Sequence, residues 1–419
     1  MLVSQNISEP ISTEEKIYGL SKIWSEVNNN FVFLDKLNFD FDSLYMAMIP
    51  KVIEAKDKFE YIGILTKFMN QLNDGHTGIR NNQEYWNSGD YPPVFLDLVD
   101  EKFLVKSIAK DHAEHIPIGS ELISADQIPY AEFKKVSPSG NLFSYVNSTV
   151  LLEFKVPNGD TVERAFIRNY NHKFRTGQPI DMIKKENNES KQPWQEYSYS
   201  HHNGFSLVAI NTFQSDTVVK QFQADLSRIN STKGLIIDVR ENGGGNSEHS
   251  KGIAQHIVER AYMVGPMWKT RINNSAKKAW GSMALYGIDN EWTRSNSIYW
   301  KGEAWEIHQP DTTMIDSSIE KVNVPVVILT GENTFSAAED FLIYTMGNSN
   351  ITTIGQPSAG SSGQPLVIDL PGGIKARICS KRDALPNGDD YIGIGIQPHI
   401  LIDPDLDHIG YAISHINGE

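Results

Sequence analysis

Residues 324–363 decide the fold of this chain and read V-P-V-V-I-L-T-G-E-N-T-F-S-A-A-E-D-F-L-I-Y-T-M-G-N-S-N-I-T-T-I-G-Q-P-S-A-G-S-S-G. An apolar, β-branched run at Val326–Leu329 breaks at Gly331 and Asn333, and apolar residues return at helical spacing from Phe341. The pattern therefore predicts a strand, a tight turn and a helix.

Ser336 falls where the predicted turn becomes the helix. Its hydroxyl would lie beside backbone N–H groups that lack helical partners, at the positive end of the helix dipole. That environment suits a nucleophilic serine. The run from Ser336 to Glu339 also fits a capping box, in which the serine caps the helix and the glutamate accepts from the serine N–H. Because capping boxes commonly begin helices, these four residues by themselves favour capping over catalysis.

Length and composition bound the class of protein. A chain of 419 residues suggests two or three domains. A hydrophobic content of 40% with 21% charged residues is typical of a soluble globular protein rather than of extended disorder. The formal net charge of −14 argues against nucleic acid or an anionic membrane as the main partner, because either would need a basic face.

The cysteine content and the N-terminus exclude further classes. The single cysteine, Cys379, excludes an intramolecular disulfide framework and a cysteine-based metal site, and we expect it to be buried in a strand rather than reactive. Residues 1–6 show neither the basic nor the apolar region of a signal peptide, and no run of about 18 apolar residues could span a bilayer. A leader removed beforehand would leave no trace, so its absence says little about location.

The N-terminal part is predicted to be helical over residues 12–72. A capping box at Ser12–Glu15 precedes the first of three amphipathic helices, whose apolar positions recur every three or four residues. We expect a small bundle over residues 1–78 that ends in the turn Asp74-Gly75-His76-Thr77.

That turn has two interpretations. His76 taken alone is more simply a turn residue that satisfies backbone groups. The functional alternative is a general base, because an imidazole titrates near neutrality and can take a proton from a serine hydroxyl. Asp74 could orient the ring or form an Asx turn, and we favour the turn.

The next two segments differ in composition. Residues 90–170 contain short β-like runs separated by Gly, Pro and Asp, which predicts a β-rich domain. Within it, Ile118–Ala125 resembles the turn of a PDZ-like domain, although the usual Asn-Gly after it is missing. Residues 171–203, rich in Asn, Lys, Gln and Glu, are predicted to be a solvated linker.

From residue 204 onward the pattern predicts an α/β core. The apolar runs Leu207–Ile210 and Leu235–Val239 suit strands buried on both faces of a sheet, with a helix over Val218–Ile229 between them. The glycines 243–245 then let the backbone approach a ligand and point N–H groups into a cleft, as an oxyanion hole requires. Taken alone they favour a tight turn, and a nucleotide loop does not fit because a Walker lysine is missing.

Two later features have open interpretations. Residues 262–310 interrupt the α/β pattern and could be a lid, an aromatic substrate wall or a subdomain with its own small core, and we favour core packing. They carry five of the eight tryptophans: Trp268, Trp280, Trp292, Trp300 and Trp305. Asp389 and Asp390 fall in a turn of the β-rich section 364–405 and are expected to be solvated, yet a carboxylate beside a histidine is also what holds its tautomer.

Five motifs in chain order resemble those of the C-terminal processing (tail-specific) serine peptidases. They are Asp74-Gly75-His76-Thr77, Asp238-Val239-Arg240-x-Asn242-Gly243-Gly244-Gly245, Thr334-Phe335-Ser336-Ala337-Ala338-Glu339-Asp340-Phe341, Gly355-Gln356-Pro357-Ser358-Ala359-Gly360 and Gly393-Ile394-Gly395-Ile396-Gln397-Pro398. The resemblance covers nearly the whole chain and is most specific around Arg240 and Ser336.

The resemblance implies a multi-domain α/β (α+β) fold. A helical bundle over residues 1–78 would be followed by a degenerate PDZ-like, β-rich domain at 90–170 and a linker at 171–203. Residues 204–419 would then form a ClpP/crotonase-like β-α-β catalytic core that carries the tryptophan-rich insertion 262–310.

The resemblance also implies a mechanism. The lysine-dependent branch of the family has Gly-Lys-Gly about 25 residues after its serine, where this chain has Gly360-Ser361-Ser362, so we do not expect a Ser–Lys dyad. The branch that resembles the tricorn core and retinoid-binding-protein modules implies that Ser336 attacks the scissile carbonyl while His76 takes and returns its proton. Backbone N–H groups of Gly243 or Gly244, with that of Ala337, would hold the oxyanion.

Three positions depart from that branch. Gly75 stands where the tricorn core has a serine, and Pro398-His399 replaces the usual Pro-Asp. The glutamate expected just before the Gly-x-Gly-x-x-Pro block is not matched, because Ile392 cannot accept a hydrogen bond from an imidazole. Asp390 is the best substitute, and we assign it as the third catalytic residue.

The function implied is a serine endopeptidase that cleaves polypeptides near their C-termini without metal, nucleotide or other cofactor. The alternative is a catalytically inactive protein that binds peptides or hydrophobic ligands on the same fold, because a fold can lose chemistry and keep a cleft. A glycan-handling enzyme with paired carboxylates is a third, disfavoured hypothesis. Many peptidases of this kind work in the bacterial periplasm or cell envelope, which implies export, although a cytoplasmic location and the oligomeric state stay open.

Overall fold

The computed structural model describes residues 10–80, 83–99, 102–130, 138–184 and 194–419. Its α-helices are α1 (Thr13–Asn30), α2 (Phe41–Glu54), α3 (Lys58–Asn70), α4 (Gln83–Ser88), α5 (Lys110–Ala113), α6 (Tyr170–Arg175), α7 (Thr217–Asn230), α8 (Ser247–Ile257), α9 (Ser275–Gly281), α10 (Glu291–Trp300), α11 (Ala337–Thr345) and α12 (His408–Asn417).

The strands complete a mixture of helices and sheets that confirms the predicted fold class. They are β1 (Gly78–Ile79), β2 (Gly89–Asp90), β3 (Val94–Val99), β4 (Lys102–Ala109), β5 (Glu121–Ala125), β6 (Ile128–Pro129), β7 (Ser144–Tyr145), β8 (Thr149–Lys155), β9 (Thr161–Ile167), β10 (Met182–Lys184), β11 (Tyr197–His202), β12 (Phe205–Ile210), β13 (Leu235–Asp238), β14 (Tyr262–Val264), β15 (Met267–Arg271), β16 (Trp305–His308), β17 (Thr312–Met314), β18 (Val326–Thr330), β19 (Ile351–Gly355), β20 (Pro365–Leu370), β21 (Ile374–Cys379), β22 (Arg382–Ala384) and β23 (Ile400–Leu401).

The chain divides into two compact units, each built from distant parts of the sequence. Unit 1 comprises the described residues of Met1–Asn28, Lys36–Glu189 and Val367–Ile378. Unit 2 comprises those of Asn29–Asp35, Ser190–Leu366 and Cys379–Glu419. The domain boundaries drawn from the sequence stay a prediction, and residues 367–378, from within the predicted core, pack in unit 1.

The N-terminal helices of unit 1 form where the periodicity predicts them. The capping box at the start of α1 is confirmed, with Ser12 N–H donating to the Glu15 carboxylate at 3.0 Å and Glu15 N–H donating to Ser12 Oγ at 3.2 Å. Helices α1 and α3 approach closely at Gly19, where a Cβ atom would lie 2.1 Å from Tyr61 Oη. Tyr61 is fully buried and donates to the Lys16 carbonyl.

The β-rich part of unit 1 is an antiparallel sheet with the strand order β10-β4-β5-β8-β9, to which β3 adds at β4 and β6 at β5. Alternate residues of these strands close a core of their own, which includes Val94, Leu152, Phe154 and Phe166. The PDZ-like stretch Ile118–Ala125 leads into β5. Its resemblance to a PDZ domain stays a prediction.

Residues 171–203, predicted to be a solvated linker, also contain regular elements, and their assignment as a linker stays a prediction. The segment contains most of α6, and β10 within it pairs antiparallel with β4. Its last residues form β11, which pairs antiparallel with β12. Backbone groups make these pairings, so a polar composition does not prevent them. Residues 185–193 lie outside the described part of the chain.

A hairpin from late in the sequence borders the turn that contains His76. β1 follows that turn and pairs antiparallel with β21, which places Gly78 opposite Arg377 and Ile79 opposite Ala376. β20 adds on the other side of β21. This small sheet fixes the chain immediately after His76 within unit 1. Cys379, at the end of β21, is fully buried as predicted.

Unit 2 is built on a six-stranded sheet with the order β11-β12-β13-β18-β19-β23. β11 and β12 are antiparallel, and the pairings from β12 to β23 are parallel. Helices α7, α8 and α11 contribute to the apolar cluster on one face, and α12 contributes to a smaller cluster on the other. Because parallel strands end at the same sheet edge, the loops after β13 and β18 meet there.

The tryptophan-rich insertion is a hairpin of α9 and α10 joined to the antiparallel pair β15–β16. The two helices approach at Gly281, where a Cβ atom would lie 2.4 Å from the Asn296 carbonyl oxygen. The preferred prediction of a small tryptophan core is wrong for Trp280, Trp292 and Trp300, which are 38%, 58% and 42% exposed. A hairpin of two short helices is too small to enclose three indole rings.

The helices of the described residues would need about 20 consecutive, mostly apolar positions to cross a bilayer. None of them is both long enough and apolar enough to span a membrane.

Candidate active site

The predicted strand, turn and helix around Ser336 are confirmed, because β18 ends at Thr330 and α11 begins at Ala337. The fully buried Thr334 fixes the turn, since its Oγ1 accepts from Gly331 N–H at 3.0 Å and donates to the Val239 carbonyl at 2.9 Å. These bonds tie the turn after β18 to the chain that follows β13.

Ser336 has an unusual backbone. Its φ is 58° and its ψ is −119°, whereas an ordinary helix-capping residue has a negative φ in the extended region. Residues other than glycine adopt positive φ rarely, and such outliers cluster at functional sites. Ser336 is half-buried at the N-terminus of α11. The backbone therefore adds to the sequence an observation that a cap alone does not explain.

The glycines after β13 lie against the Ser336 turn. A Cβ atom on Gly244, which has a φ of 88°, would lie 2.7 Å from the Phe335 carbonyl oxygen, 2.8 Å from Ser336 Cβ and 3.1 Å from Ala337 N. At Gly245 a Cβ atom would lie 2.3 Å from the carbonyl carbon of Phe213. Both positions thus require glycine for close approach as well as for conformation.

Two backbone donors are left at this junction. Gly244 N–H donates to Asn242 Oδ1 at 2.9 Å, and the buried Asn242 amide donates in turn to the Ile210 carbonyl at 2.9 Å. For the N–H groups of Gly243 and Ala337 we find no acceptor among the residues that the structure describes. Two N–H groups beside a serine can bind a negatively charged oxygen.

Glu339, in the first turn of α11, is fully buried beside Ser336. Its Oε2 accepts from Ser336 N–H at 3.0 Å and Ser361 N–H at 3.1 Å, and its Oε1 accepts from Ser358 Oγ at 2.7 Å and Gly360 N–H at 2.8 Å. Burial raises the pKa of this carboxyl to about 7, although the four donors act in the opposite direction.

A second buried acidic group follows on the same helix. Asp340 Oδ2 accepts from Ser247 Oγ at 2.6 Å. Burial, with the nearby Asp383, raises the pKa of Asp340 to about 6. Asp383 pairs with Lys381 at 3.0 Å. Burial lowers the pKa of Lys381, but the negative charges of Asp383 and Asp340 together outweigh burial, so the pKa is raised. Within the described residues, no cluster of three or more His, Cys, Asp or Glu side chains is arranged to hold a metal ion.

Asp390 has partners within unit 2. Its Oδ2 accepts from the Arg382 guanidinium at 2.6 Å, and its Oδ1 accepts from Ile392 N–H at 3.0 Å. Arg382 also pairs with Asp35 at 3.3 Å. Any role of Asp390 toward a histidine would have to compete with this ion pair.

His76 lies in unit 1, in the turn that follows α3, and only 5% of its surface is exposed. The Asp74 carboxylate accepts from Thr77 Oγ1 at 2.6 Å and from the backbone N–H groups of His76 and Thr77. Burial raises the pKa of Asp74. The interpretation of Asp74 as an Asx turn, which we favoured from the sequence, is confirmed.

The structure thus brings Ser336, Ala337 and Gly244 together within unit 2, with Gly243 adjacent in the chain. Sequence reasoning missed the contacts of Glu339 with residues 358–361, because it treated Glu339 only as half of a capping box. The sequence did contain one indication of these contacts, because the Thr334–Phe341 and Gly355–Gly360 motifs occur together.

Part of this chain resembles known peptidases. Residues 204–402 match the family model described as peptidase family S41. Over 201 residues the chain is 25% identical to the chloroplastic C-terminal processing peptidase of Tetradesmus obliquus, a match that covers 48% of this chain and 35% of that protein. The chain thus matches about a third of the length of this curated relative.

Solved structures share the fold at low identity. Mature CPAF superposes with a TM-score of 0.62 at 15% identity, covering 97% of this chain and 98% of that one. The photosystem II D1 C-terminal processing protease gives 0.50 at 16% identity over 93% of both chains. A putative peptidase from Parabacteroides merdae gives 0.51 at 16% identity over 97% of both. The domain at residues 204–402, which holds both the Ser336 turn and glycines 243–245, therefore matches peptidase family S41.

Proposed function

We propose that this protein is a serine endopeptidase that cleaves polypeptides by acyl transfer to Ser336. One observation carries the proposal: Ser336 lies at positive φ at the N-terminus of α11, with Gly244 packed against it and the Ala337 N–H beside it. An S41 domain over residues 204–402 supports it.

The proposed reaction has two halves. Ser336 Oγ attacks the scissile carbonyl carbon while His76 takes the hydroxyl proton, and His76 then gives that proton to the departing amine. Water repeats the sequence on the acyl-enzyme and releases the acid. The tetrahedral oxyanion would accept from the N–H groups of Gly243 and Ala337. We prefer Gly243 to Gly244 here because Asn242 already accepts from the Gly244 N–H.

Asp390 remains the sequence-based candidate for the third catalytic residue. To act on an imidazole it would have to exchange its ion pair with Arg382. Asp390→Asn tests the assignment. If Asp390 is the third catalytic residue, this variant should lose peptidase activity while it keeps its fold. Unchanged activity would show that Asp390 is not part of the active site.

The finer features of the function are proposals by resemblance. We propose a preference for C-termini because the Tetradesmus relative carries the name C-terminal processing peptidase. Export to a bacterial periplasm or cell envelope is proposed because the motifs resemble those of tail-specific peptidases, many of which work there. Cell fractionation followed by immunoblotting tests the location, and cleavage of one polypeptide with free and amidated C-termini tests the preference.

The central experiment is intact-protein mass spectrometry after exposure to a fluorophosphonate, a probe that modifies activated serines. The wild-type chain should gain one adduct, located on Ser336 by peptide mapping. Ser336→Ala and His76→Ala should gain none while keeping the wild-type circular dichroism spectrum. A folded wild-type protein that stays unmodified would contradict the proposal.

A binding protein on the same fold is the second candidate. The observation that favours it is the incomplete relay, because Ile392 stands where the family has a glutamate and Asp390 is paired with Arg382. On this hypothesis, peptides bind the wild type and Ser336→Ala with equal affinity, and neither hydrolyses them.

A further inference from the structure

The Glu339 carboxylate connects two segments that the sequence keeps apart. On one side it accepts from the N–H of Ser336, and on the other from the N–H groups of Gly360 and Ser361 and from Ser358 Oγ. Glu339, Ser358 and Gly360 are all buried, so water does not compete for these donors. We call residues 358–361 the clamp segment.

The clamp segment has further bonds on both sides. Toward the Ser336 turn, Ala359 N–H donates to the Thr334 carbonyl at 2.9 Å and the Ser361 carbonyl accepts from Ser336 N–H at 3.2 Å. Away from it, Ile396 N–H donates to Ser358 Oγ at 2.7 Å. Ser358 Oγ therefore accepts one hydrogen bond, from Ile396 N–H, and donates one to the Glu339 carboxylate. The clamp segment is held between the Ser336 turn and residues 393–396, with Glu339 on the side of the Ser336 turn.

These hydrogen bonds also determine which backbone N–H groups near Ser336 remain for a substrate carbonyl. The N–H of Ser336 is engaged by the Glu339 carboxylate and the Ser361 carbonyl. The first available N–H of α11 is therefore that of Ala337. A displaced clamp segment would change which N–H groups face a substrate carbonyl.

The four donors call for an ionised carboxylate. A carboxylate accepts from all of them, whereas a protonated carboxyl would bring its own hydrogen against one of them. Burial opposes ionisation and raises the pKa of Glu339 to about 7. Two other groups face this region. Tyr391 has a pKa raised well above its usual value and stays neutral, and Asp340 has a pKa of about 6. Lys381 and Asp383 interact with Asp340.

We propose that Glu339 is a positioning residue for the reaction at Ser336, and that it holds the clamp segment against the Ser336 turn only while its carboxylate is ionised. This inference rests on the proposed function, because it concerns the reactivity of the same serine.

The test compares Glu339→Gln with the wild type by the second-order rate of fluorophosphonate labelling from pH 5 to pH 9. Glutamine keeps the shape of the side chain but cannot ionise. The ratio of wild-type to variant rate should be about 10- to 100-fold at pH 9 and should fall toward one at pH 5. Because the base His76 is present in both proteins, its own titration cancels in this ratio.

Two controls separate Glu339 from its surroundings. Glu332→Gln changes an exposed carboxylate in the same turn and should leave the rate ratio near one at every pH. Repeating the comparison in an Asp340→Asn background should leave the pH-dependent ratio in place. If the transition disappears in that background, Asp340 is the titrating group and the inference is overturned.

A second variant keeps the inference testable if Glu339→Gln fails to fold. The Ser358 hydroxyl is the donor that most lowers the pKa of Glu339. Ser358→Ala should therefore move the midpoint of the labelling profile to higher pH. An unmoved midpoint would overturn the inference.

The outcomes distinguish this inference from the proposed function. Suppose that wild-type Ser336 is labelled but the ratio of wild-type to Glu339→Gln labelling rates is constant with pH. Glu339 is then only structural, and this inference is overturned while the proposed function stands. Absence of labelling in the folded wild type would overturn the proposed function, and this inference with it.

Discussion

Individual residues at the Ser336 junction are constrained by their backbones more than by their side chains. Gly244 touches Phe335, Ser336 and Ala337 through positions where a Cβ atom would stand, and Ser336 itself has a φ of 58°. The sequence can predict a glycine-rich turn, but only the tertiary structure shows which glycine faces the serine.

A matched pair of glycine substitutions tests this contact. Gly244→Ala places Cβ against backbone atoms at 2.7–3.1 Å and forces alanine to a φ of 88°. We expect it to lower the free energy of unfolding by about 2–4 kcal/mol and the labelling rate at Ser336 by roughly 100-fold. Gly243→Ala should fold normally, because nothing lies within 4 Å of the added Cβ, and it keeps its backbone N–H.

Urea unfolding and fluorophosphonate labelling measure both effects. Equal unfolding free energies and equal labelling rates for the two variants would contradict the close packing of Gly244 on Ser336.

The buried Asn242 amide bonds two backbone groups of the glycine turn and of β12. Asn242→Ala leaves the Gly244 N–H and the Ile210 carbonyl without their partner in a buried site. Each such group costs about 1–3 kcal/mol, so the free energy of unfolding should fall by about 2–4 kcal/mol. The control is Asn333→Ala, whose amide bonds Glu241 at the exposed surface and should cost less than about 0.5 kcal/mol. Equal unfolding midpoints in urea would rule out a structural role for the Asn242 amide.

At the scale of elements, a parallel sheet is what assembles the site. β13 and β18 are adjacent and in parallel register, with Asp238 opposite Leu329, so the loops that follow them leave the same sheet edge. The glycine loop and the Ser336 turn are about 90 residues apart in sequence, and this pairing brings them together. The stability of the central strands therefore sets the precision of the site.

β18 contributes a fully buried side chain, Ile328, to the core of unit 2. Ile328 is fully buried in the larger apolar cluster, and Ile328→Ala should reduce the free energy of unfolding by about 2–5 kcal/mol through lost contacts and a residual cavity. Ile307 of β16 is 53% exposed, and Ile307→Ala should change stability by less than about 0.5 kcal/mol. Chemical denaturation measures both, and a smaller effect at Ile328 than at Ile307 would contradict the assigned core.

At the scale of the whole molecule, the buried Glu339 makes stability depend on pH. Its pKa is about 7 in the folded state and near 4.5 in the unfolded chain, so between these values the folded state holds a proton that the unfolded state has released. The free energy of unfolding contributed by this group therefore falls as pH rises from about 4.5 to 7. The effect is roughly 1–3 kcal/mol.

Urea unfolding of the wild type and Glu339→Gln from pH 4.5 to pH 8 measures this effect. As pH rises across this window, the free energy of unfolding of the wild type should fall relative to that of Glu339→Gln. A difference that is constant with pH would contradict the raised pKa. The sign is opposite to the labelling prediction, because ionised Glu339 would support reactivity while it costs stability.

The local part of this architecture could be predicted from the sequence. The apolar runs at Leu207–Ile210 and Leu235–Val239 correspond to β12 and β13, and the helix predicted at Val218–Ile229 corresponds to α7. These elements follow from hydrophobic periodicity, which nearby residues carry. The strands within the polar segment 171–203 were not predicted, because backbone pairing with β4 and β12 does not depend on side-chain polarity.

The sequence by itself determined that a serine stands between a buried strand and a helix, that glycines end a neighbouring strand, and that the motifs resemble those of tail-specific peptidases. Only the tertiary structure decided that Gly244 packs on Ser336, that Asn242 takes one glycine N–H and leaves another, and that Glu339 bonds residues 358–361. The physical reason is that strand and helix signals repeat within a few residues, whereas these contacts join residues far apart in the chain whose meeting depends on strand order and register.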